Sequence, residues 1–385
     1  MKGYLRKRRD VWYTTIDLPR SAEQTRKQKC LRIGKMSKAD ALVKEREILR
    51  QYDDGTWVEE ADKTVADLLT MWLEHNTPTD RNQPISPTTF ERYSSIVRLH
   101  ILPTLGHVTL KQLNPAKIIG AFQKIRERDL SDRTFLHIHR ALFTALEYGT
   151  KTLRWLKANP ASGMKPPKVN KTETYVDESH LPLLLAATNG TRLGHPVALT
   201  ALTGLRRGEL LALRWNKNVD FERKRLIVSE SLEQTKLFGL RFKRPKSGRT
   251  RVIPLADAAV SILKSHKAQQ NEERLQLGPA FQDDDLVFCN LDGSPWPPDT
   301  LTKQFSAVSS GIGLKGFRFH DIRHAFATLT MKNGTPVKEV SELLGHSSPA
   351  ITLSTYAHVV EGVAREAVNR LADTLIDPAT GTMGR

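Results

Sequence analysis

The spacing of apolar side chains gives the first outline of this chain. Near the N-terminus they fall in short alternating runs, Val11-Trp12-Tyr13-Thr14-Thr15-Ile16 and later Leu31-Arg32-Ile33. A period of two is what a strand needs to turn one face inward. After Ser37, whose hydroxyl suits a helix N-cap, residues 38–52 change to helical spacing. The pattern predicts a small sheet followed by one helix, in a first domain spanning residues 1–58.

Between residues 63 and 160 the helical period dominates. Thr64 caps Val65-Ala66-Asp67-Leu68-Leu69-Thr70-Met71-Trp72-Leu73. Ser86-Pro87 opens another helix through Tyr93, Ile96 and Leu99, with Pro in the first turn, where its missing N–H costs nothing. Gly106 and Asn114-Pro115 punctuate the next turns, and residues 133–153 carry a further long amphipathic pattern. The expectation is an all-helical second domain, residues 63–160. His100, His137 and His139 lie inside its helices and read as structural or phosphate-touching groups, not metal ligands. The stretch NPASGMKPPKVNKTET, residues 159–174, loses all periodicity and is rich in Pro, Lys and small side chains. Such composition marks a tether, so residues 161–174 are expected to link to a third domain, residues 175–385. That domain is mainly helical, with strand-like runs at residues 225–228 and 251–253 around a basic stretch. The predicted fold class is multidomain, mainly α with small β-sheets: a sheet-plus-helix domain, a helical domain and a mixed α+β domain.

Charge turns this outline towards a partner. Lys and Arg outnumber Asp and Glu by 59 to 42, a net charge of +17. A surplus of that size points to a polyanion, because Lys and Arg placed on phosphates release condensed counterions. Before residue 39 the only acids are Asp10, Asp17 and Glu23, against a run that includes Arg6, Lys7, Arg8 and Arg9. Those four, with Trp12 and Tyr13, are candidate contacts for a nucleic-acid groove. The two cysteines, Cys30 and Cys289, form no CxxC or Cys/His cluster, so neither structural zinc nor a disulfide framework is expected. The start, MKGYLRKRRD, lacks the apolar run of a signal peptide. No stretch approaches the roughly 20 apolar residues that cross a bilayer. The expected setting is cytoplasmic and reducing, without membrane contact.

Three stretches of the third domain carry candidate chemistry. In Thr203-Gly204-Leu205-Arg206-Arg207-Gly208-Glu209-Leu210, Gly204 permits a tight turn, and Glu209 shares a helix face with Arg206 and can orient it. In Phe319-His320-Asp321-Ile322-Arg323-His324, His320 and Arg323 stand three apart, so one helix aims both at one target. Arg suits a phosphate there because its planar fork donates in pairs and stays charged. In the stretch from Leu344 to His358, Gly345 ends a helix, Ser348 caps the next with Pro349 in its first turn, and Tyr356 lies two turns along. Tyr356 is the only tyrosine after residue 175. Each stretch alone reads equally as ordinary structure: a salt-bridged helix start, a capped helix, an aromatic in a core. Phosphodiester cleavage needs a nucleophile, fixed cations for the non-bridging oxygens and an acid for the leaving oxygen, and these stretches offer candidates for the first two.

Taken together they resemble the tyrosine recombinase (phage integrase) family, whose pattern runs from an Arg in TGLRxGEL through a hairpin Lys and HxxR to LGH and a Tyr. The likeness covers about residues 200–360. The helical domain is similar to that family's SAM-like core-binding domain, and the basic first domain resembles its arm-binding domains. The resemblance implies Tyr356 as nucleophile, Arg206 and Arg323 as phosphate clamps, His320 and His346 in phosphate contact and proton handling, and Glu209 as a supporting acid. Residues 241–254 resemble the hairpin of the general acid; Lys246, just before the turn pair Ser247-Gly248, is the choice and Lys243 the rival. Lys243 and Arg244 are also candidate DNA contacts. Arg207 would replace Arg206 only if the match slipped by one.

The function implied is site-specific cutting and rejoining of DNA through a 3′-phosphotyrosyl bond, without metal, ATP or cofactor, for integration or excision of a mobile element or prophage. Implied partners are double-stranded DNA at core and arm attachment sites, a homotetramer on that DNA, and DNA-bending and directionality factors. Residues 363–376 look helical and suit docking on a neighbouring subunit. Two other readings stay open: a type IB topoisomerase-like relaxing enzyme, and a non-catalytic DNA-binding protein of the same fold.

Overall fold

The computed structural model describes residues 3–17, 28–54, 63–79, 85–169, 179–245, 248, 250–356, 368 and 371–372. Lys246 lies outside them, as do residues 170–178 of the expected tether and most of the helix expected at 363–376. The chain forms two compact units, Met1–Asn170 and Lys171–Arg385.

In the first unit, β1 (Gly3–Arg8), β2 (Val11–Asp17) and β3 (Gln28–Gly34) make an antiparallel sheet in that order. Arg8 pairs with Val11, so only Arg9 and Asp10 form the turn, and both take positive φ, 43° and 63°. That geometry matches the right-handed twist of the strands it joins. Val11, Thr14 and Ile16 are buried, and the helix Lys38–Asp53 packs Ala41 and Glu45 inward. Thr14 donates to Glu45 at 3.0 Å and the Trp12 indole to the Met36 carbonyl at 3.0 Å, which ties sheet to helix. Ser37 caps that helix as expected, accepting from the Asp40 amide at 3.1 Å.

The helices of residues 63–169 enclose their own core, centred on Leu68, Trp72, Ile101, Ile118, Ile138 and Leu142. Their starts follow the sequence. Thr64 and Asp67 form a reciprocal capping box, and Ser86, Asn114 and Ser131 each accept from the amide three residues on. One departure is a π-helical turn, Val97–Ile101, between Pro87–Ile96 and Leu102–Leu105. His139 is buried between Phe122 and Phe143. The stretch expected as a tether begins by packing: Ala161 is buried in the helical core and Met164 lies against it. Asn159 fixes that turn, donating to the Phe143 carbonyl and Glu147.

The second unit is a helical body with two small sheets. Strands β4 (Val219–Asp220), β5 (Arg225–Val228) and β8 (Arg251–Pro254) form an antiparallel sheet in the order β4-β5-β8. Between β5 and β8 the chain makes a separate hairpin, β6 (Ser231–Thr235) with β7 (Gly239–Lys243). Leu199, Leu210, Leu226, Ile253, Phe288, Phe305 and Ile322 are among the residues of the core that joins sheet to helices. Among the described residues no helix is long and apolar enough to cross a membrane.

Candidate active site

Two glycines bring distant segments together. Gly204 ends the helix Gly194–Thr203 with φ 62°, a left-handed conformation that side chains with a Cβ disfavour. A Cβ there would lie 2.5 Å from Phe326 and 3.0 Å from Leu344, so the turn sits directly against the helices Phe319–Lys332 and Val337–Leu344. Gly345 ends the latter helix the same way, φ 64°, with Arg251 of β8 where its Cβ would be. Arg206, Arg323 and His346 are thereby gathered from segments far apart in sequence.

Arg206 opens the short helix Arg207–Leu210. It donates from Nη1 to Glu209 Oε1 at 2.8 Å and from Nη2 to the Gly345 carbonyl at 3.2 Å, with 29% of its side chain open to solvent. Glu209 is almost fully buried and accepts a second, two-pronged pair from Arg251, at 2.9 and 2.7 Å. Arg251 also donates from Nε to the Leu343 carbonyl. The sequence had placed Arg251 only within the hairpin likeness; here it is the strut behind Glu209. Burial alone would raise the Glu209 pKa, but hydrogen bonds and charge from Arg251, with the Arg206 charge, hold it at about 2. Arg207, by contrast, turns to Pro298, Thr302 and Asp299 on another helix.

A folded-state pKa below the usual value of 4.5 means that Glu209 stabilises the fold above that value and loses the contribution as pH falls towards 2. Glu209→Gln should destabilise by about 3–5 kcal/mol, because it strands buried guanidinium charge. It should also flatten the loss of stability between about pH 5 and 2. Thermal melting across that range checks both; an unchanged acid slope would remove Glu209 from this role.

Arg323, on the helix Phe319–Lys332, is 2% exposed. It donates from Nη1 to the Gly204 carbonyl at 2.7 Å and from Nη2 to the Leu344 carbonyl at 2.5 Å. It thus pins the turn that carries Arg206 to the turn that carries His346. Burial, then the neighbouring Arg206, lowers its pKa to about 9, so it remains a cation at neutral pH. A guanidinium has five N–H donors, which leaves several beyond these two bonds for a phosphate. The helix is set by buried Asp321, which accepts from the Arg318 amide and guanidinium.

The three histidines differ. His320 lies at the surface, its ring edge-on to His324 at 4.9 Å. His346 shares its Nδ1 with the Thr352 hydroxyl at 2.7 Å. Loss of hydration pulls both to about 4, helped by His324 and Arg323 for His320 and by Arg323 and Arg206 for His346. His324, which the sequence had not singled out, places Nδ1 2.7 Å from the Tyr356 hydroxyl.

Tyr356 lies in a helix described from residue 349 to residue 356, begun by Ser348 and Pro349 as expected. Its ring is 4% exposed and packs with Ala327, Met331, Val340 and Leu344. Burial pushes its pKa up to about 12, against the pull of the Arg323 charge. The hydroxyl is therefore a protonated group held inside the unit. Lys243 is engaged across the hairpin with Glu233 at 2.5 Å, and Arg244 is exposed.

In the N-terminal sheet Arg6, Tyr13 and Arg32 occupy one cross-strand row, with Lys7 opposite Trp12 in the next. Arg6, Lys7, Arg8 and Arg9 are all exposed. Arg32 joins this set through the register of β3.

A helical body carrying a small antiparallel sheet, with two arginines, flanking histidines and a tyrosine on converging segments, is the architecture of a DNA strand-transfer enzyme. Residues 174–362 match the phage integrase family, and residues 64–125 match the phage integrase N-terminal SAM-like domain. The chain is 30% identical over 361 residues to a "Tyrosine recombinase XerC-like" protein of Caldanaerobacter subterraneus subsp. tengcongensis, covering 88% of this chain and 90% of the relative. It is 26% identical over 371 residues to an integrase of Streptomyces ambofaciens, covering 92% and 91%. Among solved structures, the Tn1549 transposon integrase in complex with transposon right end DNA superposes with a TM-score of 0.67 at 22% identity, over 80% of this chain and 99% of that one; this is a likeness of fold. The chain belongs to the phage integrase family of tyrosine recombinases. Its activity is site-specific DNA recombination.

Proposed function

We propose that Tyr356 attacks the scissile phosphate of a duplex core site, forming an Oη–P bond while the P–O5′ bond breaks. The products are a 3′-phosphotyrosyl link and a free 5′-hydroxyl. Attack by that hydroxyl, or by its counterpart on a second site, reverses the step; the phosphodiester energy is kept in the phosphotyrosine, so no ATP is needed. Arg206 and Arg323 hold the charge of the five-coordinate phosphorus. His320 and His346, neutral at pH 7, contact phosphate oxygens, and Lys246 protonates the leaving 5′-oxygen. Glu209 orients Arg206. The observation that carries this reading is the convergence of three segments: Arg323 is bonded to the carbonyls of Gly204 and Leu344, and Arg206 to that of Gly345.

Around this centre, Lys243 and Arg244 lie along core DNA, and Arg6, Lys7, Arg8, Arg9, Trp12 and Tyr13 contact arm sites. The enzyme works as a homotetramer on paired sites in the cytoplasm, with bending and directionality factors, and moves an integrating element. Domains at 1–58, 63–160 and 175–385 divide the labour.

A nicked duplex bearing the core site tests the reaction. The wild type should accumulate covalent protein–DNA complex in the absence of ATP. Lys246→Ala should do so about 10²–10⁴-fold more slowly, and a 5′-thiolate leaving group, which needs no proton, should restore it. Rescue of Lys243→Ala instead would transfer the role to that residue.

A further inference from the structure

Attack by a tyrosine requires that its phenol lose a proton, and the group placed to receive it is not one of the two histidines matched to the family pattern. From the 2.7 Å hydrogen bond between His324 Nδ1 and the Tyr356 hydroxyl, we infer that His324 is the residue that positions the nucleophile and takes its proton. This inference rests on Tyr356 being the nucleophile.

The geometry favours His324 over its neighbours. His346 commits Nδ1 to Thr352, and His320 sets its ring edge-on to that of His324. His324 and Tyr356 are 5.8 Å apart between ring centroids, tilted by 56°, so the hydroxyl meets the edge of the imidazole where the lone pair lies. The phenol, with its pKa pushed to about 12, is the donor, and a neutral imidazole is the acceptor. Groups facing His324 are His320, Asp321 and Arg323 on its own helix, Arg318 at that helix's start, Tyr356, and His346 from the loop after Gly345. Burial, with Arg323 and Arg318 and against Asp321, lowers the His324 pKa, which keeps the ring neutral at pH 7.

The step balances within the site. The phenolic proton passes to His324 Nδ1 as the Oη–P bond forms, giving an imidazolium with protons on both nitrogens. The P–O5′ bond breaks and the leaving oxygen takes its proton from the general acid. When the 5′-hydroxyl returns, His324 gives its proton back to the phenolate oxygen.

The test follows covalent-complex formation on a nicked core-site duplex against pH, for the wild type, His324→Gln, His324→Ala and Tyr356→Phe. Glutamine keeps a hydrogen bond but accepts no proton at neutral pH. His324→Gln should be slowed by about 10²-fold or more, should melt and retain DNA as the wild type does, and should lack the acidic limb that titration of a base gives the wild type. Two restorations should follow: added imidazole should revive His324→Ala, and a fluorinated tyrosine at position 356, with its more acidic phenol, should recover most of the His324→Gln rate. A His324→Gln enzyme with wild-type rate and pH profile, or variants that neither imidazole nor fluorotyrosine revives, would overturn the role of His324. An adduct with Tyr356→Phe would overturn the nucleophile itself, and the inference with it.

Discussion

Tyr356→Phe should leave an enzyme that folds and holds its core site but makes no covalent complex, a loss on the order of 10⁶-fold in cleavage. The expected separation of folding from chemistry comes from where the ring sits. The phenyl group keeps its contacts with Ala327, Met331, Val340 and Leu344, because only the hydroxyl is removed. What the fold loses is one hydrogen bond to His324, worth about 1 kcal/mol. Melting temperature and DNA retention should therefore remain near those of the wild type. A comparable loss of stability would mean that the hydroxyl serves the fold.

Arg323→Ala should behave differently, with chemistry and stability both falling. Loss of one fixed donor to a developing oxyanion lowers the rate by about 10²–10³-fold. In addition, the Gly204 and Leu344 carbonyls lose their donor inside the unit, at about 1–3 kcal/mol for each buried group left unpaired. The turns carrying Arg206 and His346 would then lose their common pin, so the rate loss should exceed that of Arg206→Ala. Arg206 is partly open, and Glu209 would keep its two-pronged bond to Arg251 after its removal. Single-turnover cleavage set beside thermal melting checks this. Equal stability losses for the two variants would contradict the assignment of Arg323 as the central strut.

Much of this architecture was legible in the chain because its signals are local. Caps at Thr64, Ser86 and Ser348 and helix ends at Gly204 and Gly345 depend on a few neighbouring residues, and they lie where the sequence puts them. The motif residues Arg206, Arg323, His346 and Tyr356 stood out through the resemblance of their stretches to the family pattern. What escaped were pairings between segments. Arg251 meets Glu209 across 42 positions, and His324 meets Tyr356 across 32, which no period encodes. Arg32 joins Arg6 and Tyr13 only through strand register. Burial of Tyr356 was one of the readings its stretch left open, and the cover comes from two other helices. The hairpin β6–β7 was missed for a different reason: Ser231–Thr235 is a short polar alternation that carries little apolar signal. Ala161 and Met164 show the reverse error, since proline-rich composition suggested a tether while two side chains still find a core.

The most direct measurement is to digest the trapped covalent complex and locate the attached nucleotide by mass spectrometry. The account predicts a phosphodiester-linked nucleotide on Tyr356. Attachment to any other side chain would contradict it.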